Sequence, residues 1–375
     1  MKNARVLFLS GFLAAFVFMS RTMYSSVVPA VKEELHLTYA QVGLPPMVAL
    51  ACAAVGYALS GFLVFRFGPK KVLLMSIVTM MISALGTANS MTFVSVVVFQ
   101  GLAGLSEGFF YVAALVMLTN TFENAMIGLA FGVIESALNL GILSSLTLGT
   151  SMTTWYSWRA PYQVLTGLGC VALCLILILA RTTAKRNEHA QLQEILKDPY
   201  IRSVFIPSAL LFLSFWSFWT FVPAYLVDSL RVSLTVGGFV SSFPFLLAIS
   251  ASLIGGILAD RVGPKTASLP VILFYFVFLV LFSYSGSLIF VIISLAVVGF
   301  AQAYLIPVIL SFVPKRFPQA ELGRIFGIIL SGSYVVATVG PLVTGHVVDI
   351  YGFTAAFLVL AICIGMTGLL IFKNL

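Results

Sequence analysis

Three charged side chains interrupt long apolar segments of this chain. Arg21 lies within the first segment, Glu107 within the fourth and Glu135 within the fifth. A charge in the hydrocarbon core of a bilayer is costly unless it is paired or serves a function. Because arginine keeps its proton, Arg21 requires an anionic partner or an anionic ligand. One glutamate can be that partner, and the other is then a buried carboxyl group able to bind and release protons.

These three residues therefore predict a proton-coupled binding site inside the membrane. Arg21 is the expected anion-binding group, and Glu107 and Glu135 are the expected proton-coupling groups. The alternative interpretation is a structural ion pair beside a glutamate that stays protonated. Both interpretations depend on membrane-spanning elements that bring the side chains together.

The composition requires those elements to span a bilayer. The chain is 61% hydrophobic and only 9% charged, with a mean hydropathy of +1.11. A soluble core cannot bury so much apolar surface, and a bilayer needs roughly 20 apolar residues per helix. The sequence predicts an all-α membrane protein with twelve spans, near residues 5–31, 41–65, 72–90, 93–119, 126–150, 160–180, 203–227, 233–259, 266–284, 288–313, 322–346 and 353–372.

An internal repeat divides these spans into two sets of six. Residues 61–70, Gly-Phe-Leu-Val-Phe-Arg-Phe-Gly-Pro-Lys, align with residues 256–265, Gly-Ile-Leu-Ala-Asp-Arg-Val-Gly-Pro-Lys, with six of ten positions identical. The offset of 195 residues also relates other segments of the two halves. Two parallel repeats of this size are typical of secondary transporters. We expect pseudo-symmetric six-helix bundles at residues 1–181 and 201–375, joined by a polar cytoplasmic linker at residues 182–200.

The net charge of +8 reflects membrane orientation rather than nucleic-acid binding. With the N-terminus inside, 16 of the 20 lysines and arginines lie on the cytoplasmic side, whereas Lys32, Arg159 and Arg231 lie outside. This bias follows the positive-inside rule. The first apolar segment is too long for a signal peptide. We therefore expect an integral protein of the cytoplasmic (inner) membrane with both termini in the cytoplasm.

The repeated loop after the second and eighth spans resembles the signature loop of the major facilitator superfamily, Gly-x-x-x-Asp-Arg-x-Gly-Pro-Lys. The second copy carries the acidic residue, Asp260, whereas the first copy has Phe65 at that position. The resemblance implies two six-helix bundles and a loop that closes the cytoplasmic gate. The implied gating residues are Gly61, Arg66, Gly68, Gly256, Asp260, Arg261, Gly263 and Lys265.

Within that superfamily, the chain is similar to the anion:cation symporters of organic acids. The similarity lies in Ser20-Arg-Thr-Met-Tyr-Ser-Ser-Val-Val-Pro29, in Gly104-Leu-Ser-Glu-Gly108 and in Phe218-Trp-Thr-Phe-Val-Pro-Ala-Tyr225. It implies that Arg21 binds a substrate carboxylate and that Glu107 carries the proton. Two positions depart from the pattern, since Ser20 replaces an acidic residue and Gln100 replaces a second arginine.

The repeat also selects residues of the second half. At the same offset Arg21 corresponds to Trp216, Glu107 to Gln302 and Glu135 to Leu330. The second half thus has aromatic and neutral groups where the first has charge. We expect Arg21, Tyr24, Trp216 and Gln302 to bind the substrate, with packing against lipid as the alternative role for Trp216.

The expected function is proton-coupled symport of a small organic anion by alternating access, and the expected chemical class of the anion is a carboxylate. The coupling ion is expected to be the proton, with Na⁺ as the open alternative, and the expected state is a monomer. The alternative function is a proton-driven exporter of cationic or lipophilic compounds. The sequence contains no nucleophile–base set, metal-ligand cluster, nucleotide motif or cofactor motif, so neither an enzyme nor a cofactor is expected.

Overall fold

The structure is a computed structural model that describes residues 2–37, 39–122, 126–180, 198–232, 234–319 and 321–374. Within those residues every regular element is helical, and no strand is present. Most of the predicted linker, at residues 182–200, lies outside the described residues. Its last residues begin a helix, because the Asp198 carboxylate accepts the Tyr200 backbone N–H at 2.8 Å.

The long helices follow one another through short loops. In chain order they are α1 Lys2–Glu34, α2 Tyr39–Phe67, α3 Pro69–Ala88, α4 Phe93–Thr119, α5 Ile127–Trp155, α6 Ala160–Leu179, α7 Pro199–Asp228, α8 Leu234–Val262, α9 Pro264–Ser283 and α10 Leu288–Leu310. A five-residue helix, Phe312–Arg316, follows α10. The last helical segment is Leu322–Asn374.

This last segment contains two spans. Its 53 residues extend far beyond the roughly 20 that cross a bilayer. Gly352 interrupts it with φ 79° and ψ 173°, a conformation that excludes the α-helix. We label residues 322–351 as α11 and residues 353–374 as α12. Since the other ten helices are also long and apolar enough to cross a membrane, the predicted twelve-helix fold is confirmed.

The backbone repeats with the same offset as the sequence. Helices α2 and α3 correspond to α8 and α9 with both ends displaced by 195 residues. Gly68 and Gly263, before α3 and α9, have φ of 80° and 85°. His36 and Arg231, outside these helices, have φ of 51° and 56°, a region that few non-glycine residues adopt. The two six-helix halves are therefore pseudo-symmetric copies, down to their strained turns.

The chain forms two compact units that do not coincide with the two sequence halves. The first contains Met1–Glu123, Ala137–His189 and Phe317–Ser331, and the second contains Asn124–Ser136, Ala190–Arg316 and Gly332–Leu375. The start of α11 thus belongs to the unit that contains α1–α4, and the start of α5 belongs to the unit that contains α7–α10. Each unit combines helices of both halves.

Candidate functional site

In the first unit, Arg21 of α1 forms an ion pair with Glu107 of α4. The Arg21 Nε lies 3.1 Å from Glu107 Oε2, and both side chains are almost fully buried. A single pair of atoms joins them, so Glu107 does not use the two-nitrogen edge of the guanidinium that matches a carboxylate. Arg21 Nη2 donates instead to the Pro46 carbonyl at 3.4 Å. The sequence predicted that one glutamate pairs with Arg21, and in the structure that glutamate is Glu107.

The second oxygen of the Glu107 carboxylate is bound by Tyr57 of α2. The Tyr57 hydroxyl donates to Glu107 Oε1 at 3.0 Å, and Tyr57 is fully buried. Glycines make this contact possible, because a Cβ at Gly108 would lie 2.5 Å from the Gly56 carbonyl carbon. The close α2–α4 packing that small residues allow thus positions the tyrosine on the carboxylate. Sequence analysis missed Tyr57, although Gly56 and Gly108 were a signal that the two helices touch.

Other buried polar groups lie on the same helices as the ion pair and on α6. Tyr24 lies one turn beyond Arg21 on α1 and is 3% exposed. Gln100 of α4 donates through Nε2 to the Tyr162 hydroxyl of α6 at 3.4 Å. The Gln100 carbonyl oxygen is buried, and none of the described residues donates a hydrogen bond to it. The first unit therefore places one cation, one acid and several neutral polar groups close together.

The equivalent position in the second unit is uncharged. Trp219 of α7, the counterpart of Tyr24, donates through Nε1 to Gln302 Oε1 at 2.6 Å. Gln302, the counterpart of Glu107, donates in turn to the Tyr275 hydroxyl at 2.5 Å. Gln302 is therefore engaged on both ends of its amide, and it orients Trp219. Trp219 and Tyr275 were not predicted as site residues.

Trp216, the counterpart of Arg21, lies on α7 next to other aromatic rings. Its ring meets Phe215 and Tyr334 edge-on, with centroids 5.3 and 6.3 Å away. Its indole N–H is buried and has no hydrogen-bond partner in the part of the chain that the structure describes. An indole N–H is a donor only, so this group is suited to an acceptor such as a carboxylate oxygen.

Glu135, the third predicted charge, is on the part of α5 that belongs to the second unit. Its side chain is 2% exposed. The next residue, Ser136, donates to the Ile249 carbonyl of α8 at 2.6 Å. The structure thus brings Arg21 and Glu107 together, whereas Glu135 is buried in the other compact unit.

The last turn of α8 contacts the start of α5 through its acidic residue, Asp260. The Asp260 carboxylate accepts the backbone N–H groups of Gly128 and Leu129, both at 2.8 Å. These amides are in the first turn of α5, where unpaired N–H groups and the helix dipole favour an anion. Gly256 makes the approach possible, because any side chain there would clash with the Gly128 backbone.

The last turn of α2 makes the symmetry-related contact without an acid. Phe65 occupies the position of Asp260, and the Arg324 guanidinium in the first turn of α11 lies 3.9 Å from the centroid of its ring. This distance is within the range of a cation–π contact. Gly61 again permits close packing, since a Cβ there would lie 2.8 Å from the Gly323 carbonyl oxygen. Arg324 was not singled out in the sequence, where Phe65 was only the missing acid.

The lysine of each loop copy stabilises the end of a later helix. Lys70 Nζ donates to the Leu177 carbonyl of α6 at 3.4 Å, and Lys265 Nζ donates to the Phe372 carbonyl of α12 at 2.8 Å. Both carbonyls lie in the last turn of their helix, where a cation is favourable.

The other residues of the two copies have different positions. Arg66 and Arg261 are exposed. Gly68 and Gly263 supply the positive φ that starts the next helix.

At the opposite end of the first half, Glu34 and Arg159 form a two-point ion pair. Arg159 Nη2 lies 2.7 Å from Glu34 Oε1, and Nη1 donates to Oε2 at 2.9 Å. Trp158 Nε1 also donates to Glu34 Oε2 at 2.7 Å, and Arg159 donates to the Ser90 carbonyl at 3.0 Å. The cluster joins the ends of α1, α3 and α6. Sequence analysis missed this cluster because Glu34 and Arg159 are 125 residues apart.

Comparison with known proteins agrees with this architecture. The family model of the Major Facilitator Superfamily matches residues 10–229 and 204–374. The hexuronate transporter of Bacillus subtilis is 24% identical over 408 residues, covering 99% of this chain and 92% of that protein. The multidrug resistance protein MdtG of Serratia proteamaculans is 24% identical over 378 residues, covering 97% and 91%.

A solved structure has the same fold. The human organic anion transporter MFSD10 superposes with a TM-score of 0.86 at 15% identity, covering 98% of this chain and 99% of that one. The family match spans nearly the whole chain, and the repeat, the twelve helices and the loop after each second helix agree with it. The chain belongs to the Major Facilitator Superfamily and is an integral membrane transporter rather than an enzyme.

Proposed function

We propose that this transporter carries a small organic anion together with a proton, by alternating access. The observation that supports this most directly is the buried Arg21–Glu107 pair at 3.1 Å. Arginine is a permanent cation with two parallel N–H donors suited to a carboxylate. The hexuronate transporter of Bacillus subtilis, a relative over nearly the full chain, is by its name a carrier of an organic anion.

In the proposed cycle, substrate and Glu107 compete for Arg21. The substrate carboxylate binds the guanidinium, and Glu107, which loses its cation, takes up a proton because an unpaired carboxylate is costly in this environment. Release of the substrate restores the ion pair and expels the proton. Tyr57 keeps the carboxyl group in place through both states. Glu135 remains a second candidate for proton coupling, on the basis of its burial.

Tyr24, Trp216 and Gln302 are proposed to complete the substrate site. Tyr24 lies one helical turn from Arg21, and the Trp216 indole N–H has no hydrogen-bond partner among the described residues. Gln302 acts through Trp219, whose ring it orients by a hydrogen bond. In this proposal the first half binds the charge of the substrate, and the second half recognises its neutral portion.

The repeated loops are proposed as the cytoplasmic gate. The contact of Asp260 with α5 and the contact of Phe65 with Arg324 of α11 each join helices of the two sequence halves.

Other residues of the two copies support these contacts. Gly61 and Gly256 permit the close approach of the helices, and Gly68, Gly263 and Lys265 fix the turns and the helix ends. Arg66 and Arg261 flank the turns at the surface. We place the gate and both termini on the cytoplasmic side of the inner membrane, in line with the positive charge there.

Uptake into proteoliposomes tests the proposed function. With an acid exterior, labelled small carboxylates should accumulate above the level of protein-free vesicles, and collapsing the pH gradient with a protonophore should abolish accumulation. A Na⁺ gradient without a pH gradient should have no effect. Accumulation driven by Na⁺ alone would contradict proton coupling.

One relative favours a second candidate function. The multidrug resistance protein MdtG of Serratia proteamaculans covers nearly all of this chain, and a buried glutamate such as Glu107 or Glu135 is an attractive site for a cation. Expression in a drug-sensitive host distinguishes the two. Resistance to lipophilic cations, lost in Glu107→Gln, together with no carboxylate uptake would support the exporter.

A further inference from the structure

We infer that the substrate has one carboxylate and that a second negative charge is rejected. This inference rests on the proposed function and specifies the class of anion. It follows from the number and kind of charged groups around Arg21.

Arg21 is the only buried lysine or arginine among the described residues. Its single positive charge is balanced by the single charge of Glu107. If a monocarboxylate takes the place of Glu107 and Glu107 becomes protonated, the buried site is again neutral. A dicarboxylate would leave one negative charge without a cation, a state that is strongly disfavoured away from water.

The other ionisable groups near the pair do not supply a second cation. Tyr57 of α2 donates to Glu107, and Tyr162 of α6 lies within electrostatic range of Arg21 and Tyr24. Cys52 of α2 lies within electrostatic range of Arg21. Phenol and thiol groups are uncharged at neutral pH. No group of this environment can therefore neutralise a second carboxylate.

Gln100 adds a specific obstacle to a second carboxylate. It lies seven residues before Glu107 on α4, about 10 Å along the helix and on a similar face. Its amide nitrogen is bound to Tyr162, whose hydroxyl is within electrostatic range of Arg21, and its carbonyl oxygen has no partner. A free carbonyl oxygen accepts hydrogen bonds and repels a carboxylate. The group of the substrate that reaches Gln100 is therefore a donor such as a hydroxyl.

Matched pairs of acids test the inference in proteoliposomes with an acid exterior. Each pair shares one carbon skeleton and differs by one carboxylate: D-glucuronate with D-glucarate, 3-hydroxybutyrate with malate, and 2-methylbenzoate with phthalate. In every pair that competes with uptake, the monocarboxylate should compete at least tenfold better. A dicarboxylate that competes equally well or better would overturn the inference. No pH-driven uptake of any acid would instead contradict the proposed function itself.

A substitution at Gln100 tests the same inference from the protein side. Gln100→Arg adds a second buried cation and should shift the preference toward the dicarboxylate by at least tenfold in the recognised pair. Gln100→Met, of similar length, removes the carbonyl oxygen but adds no cation, so the preference for one carboxylate should remain, although smaller. An unchanged ratio in Gln100→Arg protein that elutes as a monodisperse species and transports the monocarboxylate would overturn the inference.

Discussion

At the scale of single residues, the proposed transport cycle depends on the geometry of one arginine, Arg21. Glu107 contacts Arg21 through Nε, and the other edge of the guanidinium donates only a long hydrogen bond to Pro46. An ion pair made for stability alone gains most from two parallel hydrogen bonds. The single contact instead suits a pair that separates during each transport cycle.

Arg21→Ala should therefore abolish anion uptake, while Arg21→Lys should retain at most a few per cent. The lysine keeps the charge but lacks the planar pair of donors. Initial rates of labelled carboxylate uptake in proteoliposomes measure the effect. Arg202→Ala, which removes an exposed arginine of α7, is the matched control and should transport normally. Full uptake by Arg21→Ala would refute the binding role.

Tyr57 gives a second prediction at this scale. Removing its hydroxyl deprives the Glu107 carboxylate of a donor at 3.0 Å, so the protonated form becomes relatively more favourable. Tyr57→Phe should shift the pH dependence of uptake to higher pH, while binding of the anion at saturating proton concentration changes little. If the profile keeps its position and only the maximal rate falls, Tyr57 has a packing role alone.

The sequence predicted the charged members of this site but not their neutral partners. Arg21 and Glu107 are conspicuous because charge is rare in apolar segments, and the structure pairs them. Tyr57, Tyr275 and Trp219 are common residues for membrane helices, and only helix packing brings them to Glu107 and Gln302. A polar residue that contacts the site only through the packing of another helix has no recognisable spacing pattern in the sequence.

At the scale of helices, the two contacts of the proposed gate use different interactions at equivalent positions. Asp260 binds the backbone amides of α5, whereas Phe65 lies beneath the Arg324 side chain of α11. The repeat in the sequence shows that Phe65 replaces the acidic residue of the second copy. It does not show that the Arg324 side chain contacts the Phe65 ring instead. Predicting that contact requires knowing that α11 begins beside α2.

Phe65→Ala should open the gate more often, because a cation–π contact contributes about 1 kcal/mol, or roughly fivefold in an equilibrium. The readout is labelling of a cysteine placed at Thr119, which is 3% exposed and whose carbonyl accepts a bond from Gln319 beside α11. In a background without native cysteines, an impermeant maleimide should react several-fold faster. Phe65→Asp should restore slow labelling through an ion pair with Arg324.

The matched control for the gate is Phe67→Ala, which removes a more exposed ring two residues away. It should leave the labelling rate near that of the parent. Equal rates for Phe65→Ala, Phe67→Ala and the parent protein would show that the contact with Arg324 does not hold the gate closed.

The Glu34–Arg159 cluster gives a prediction about pH. The hydrogen bond from Arg159, aided by Trp158 and the positive charge, lowers the pKa of Glu34 from its usual value of 4.5. The ion pair therefore stabilises the fold above that value and loses its effect as pH falls through the lowered pKa. Because Glu34 is nearly half exposed, the contribution is at most about 1 kcal/mol.

Glu34→Gln should accordingly lower the unfolding temperature slightly at pH 7. The difference from the parent should decrease as pH falls below 4.5 and disappear once the pH is below the lowered pKa of Glu34. Thermal unfolding in detergent across that range measures it. Glu33→Gln, at an exposed neighbouring residue, is the control and should have no effect at any pH. A difference that persists at low pH would show that Glu34 acts by packing rather than by charge.

At the scale of the whole molecule, the duplication explains both what the sequence predicted and what it left open. The offset of 195 residues predicted the number of helices, and it recurs in the helix ends and in the turns at His36 and Arg231. The compact units, however, exchange the first turns of α5 and α11 between the halves. Such an exchange depends on tertiary packing, which neither hydropathy nor the repeat records.

The two copies have also diverged in polarity while keeping their contacts. The Ser90 carbonyl is bound by Arg159, and the equivalent Ser285 carbonyl is bound by the Tyr225 hydroxyl at 2.5 Å. Likewise the Arg21–Glu107 pair corresponds to Trp216 and Gln302. Charge is thus concentrated in the first half and aromatic surface in the second. This asymmetry supports the proposed division between binding the charge and recognising the neutral portion of the substrate.

The coupling of proton and anion through Glu107 is tested most directly by measuring proton movement itself. Proteoliposomes with a pH-sensitive dye inside are given an external carboxylate that the transporter accepts. The parent protein should acidify the interior faster than protein-free vesicles. Glu107→Gln should still exchange labelled for unlabelled anion but should not acidify the interior. Acidification by Glu107→Gln at the parent rate would contradict the role of Glu107 as the group that couples the proton to the anion.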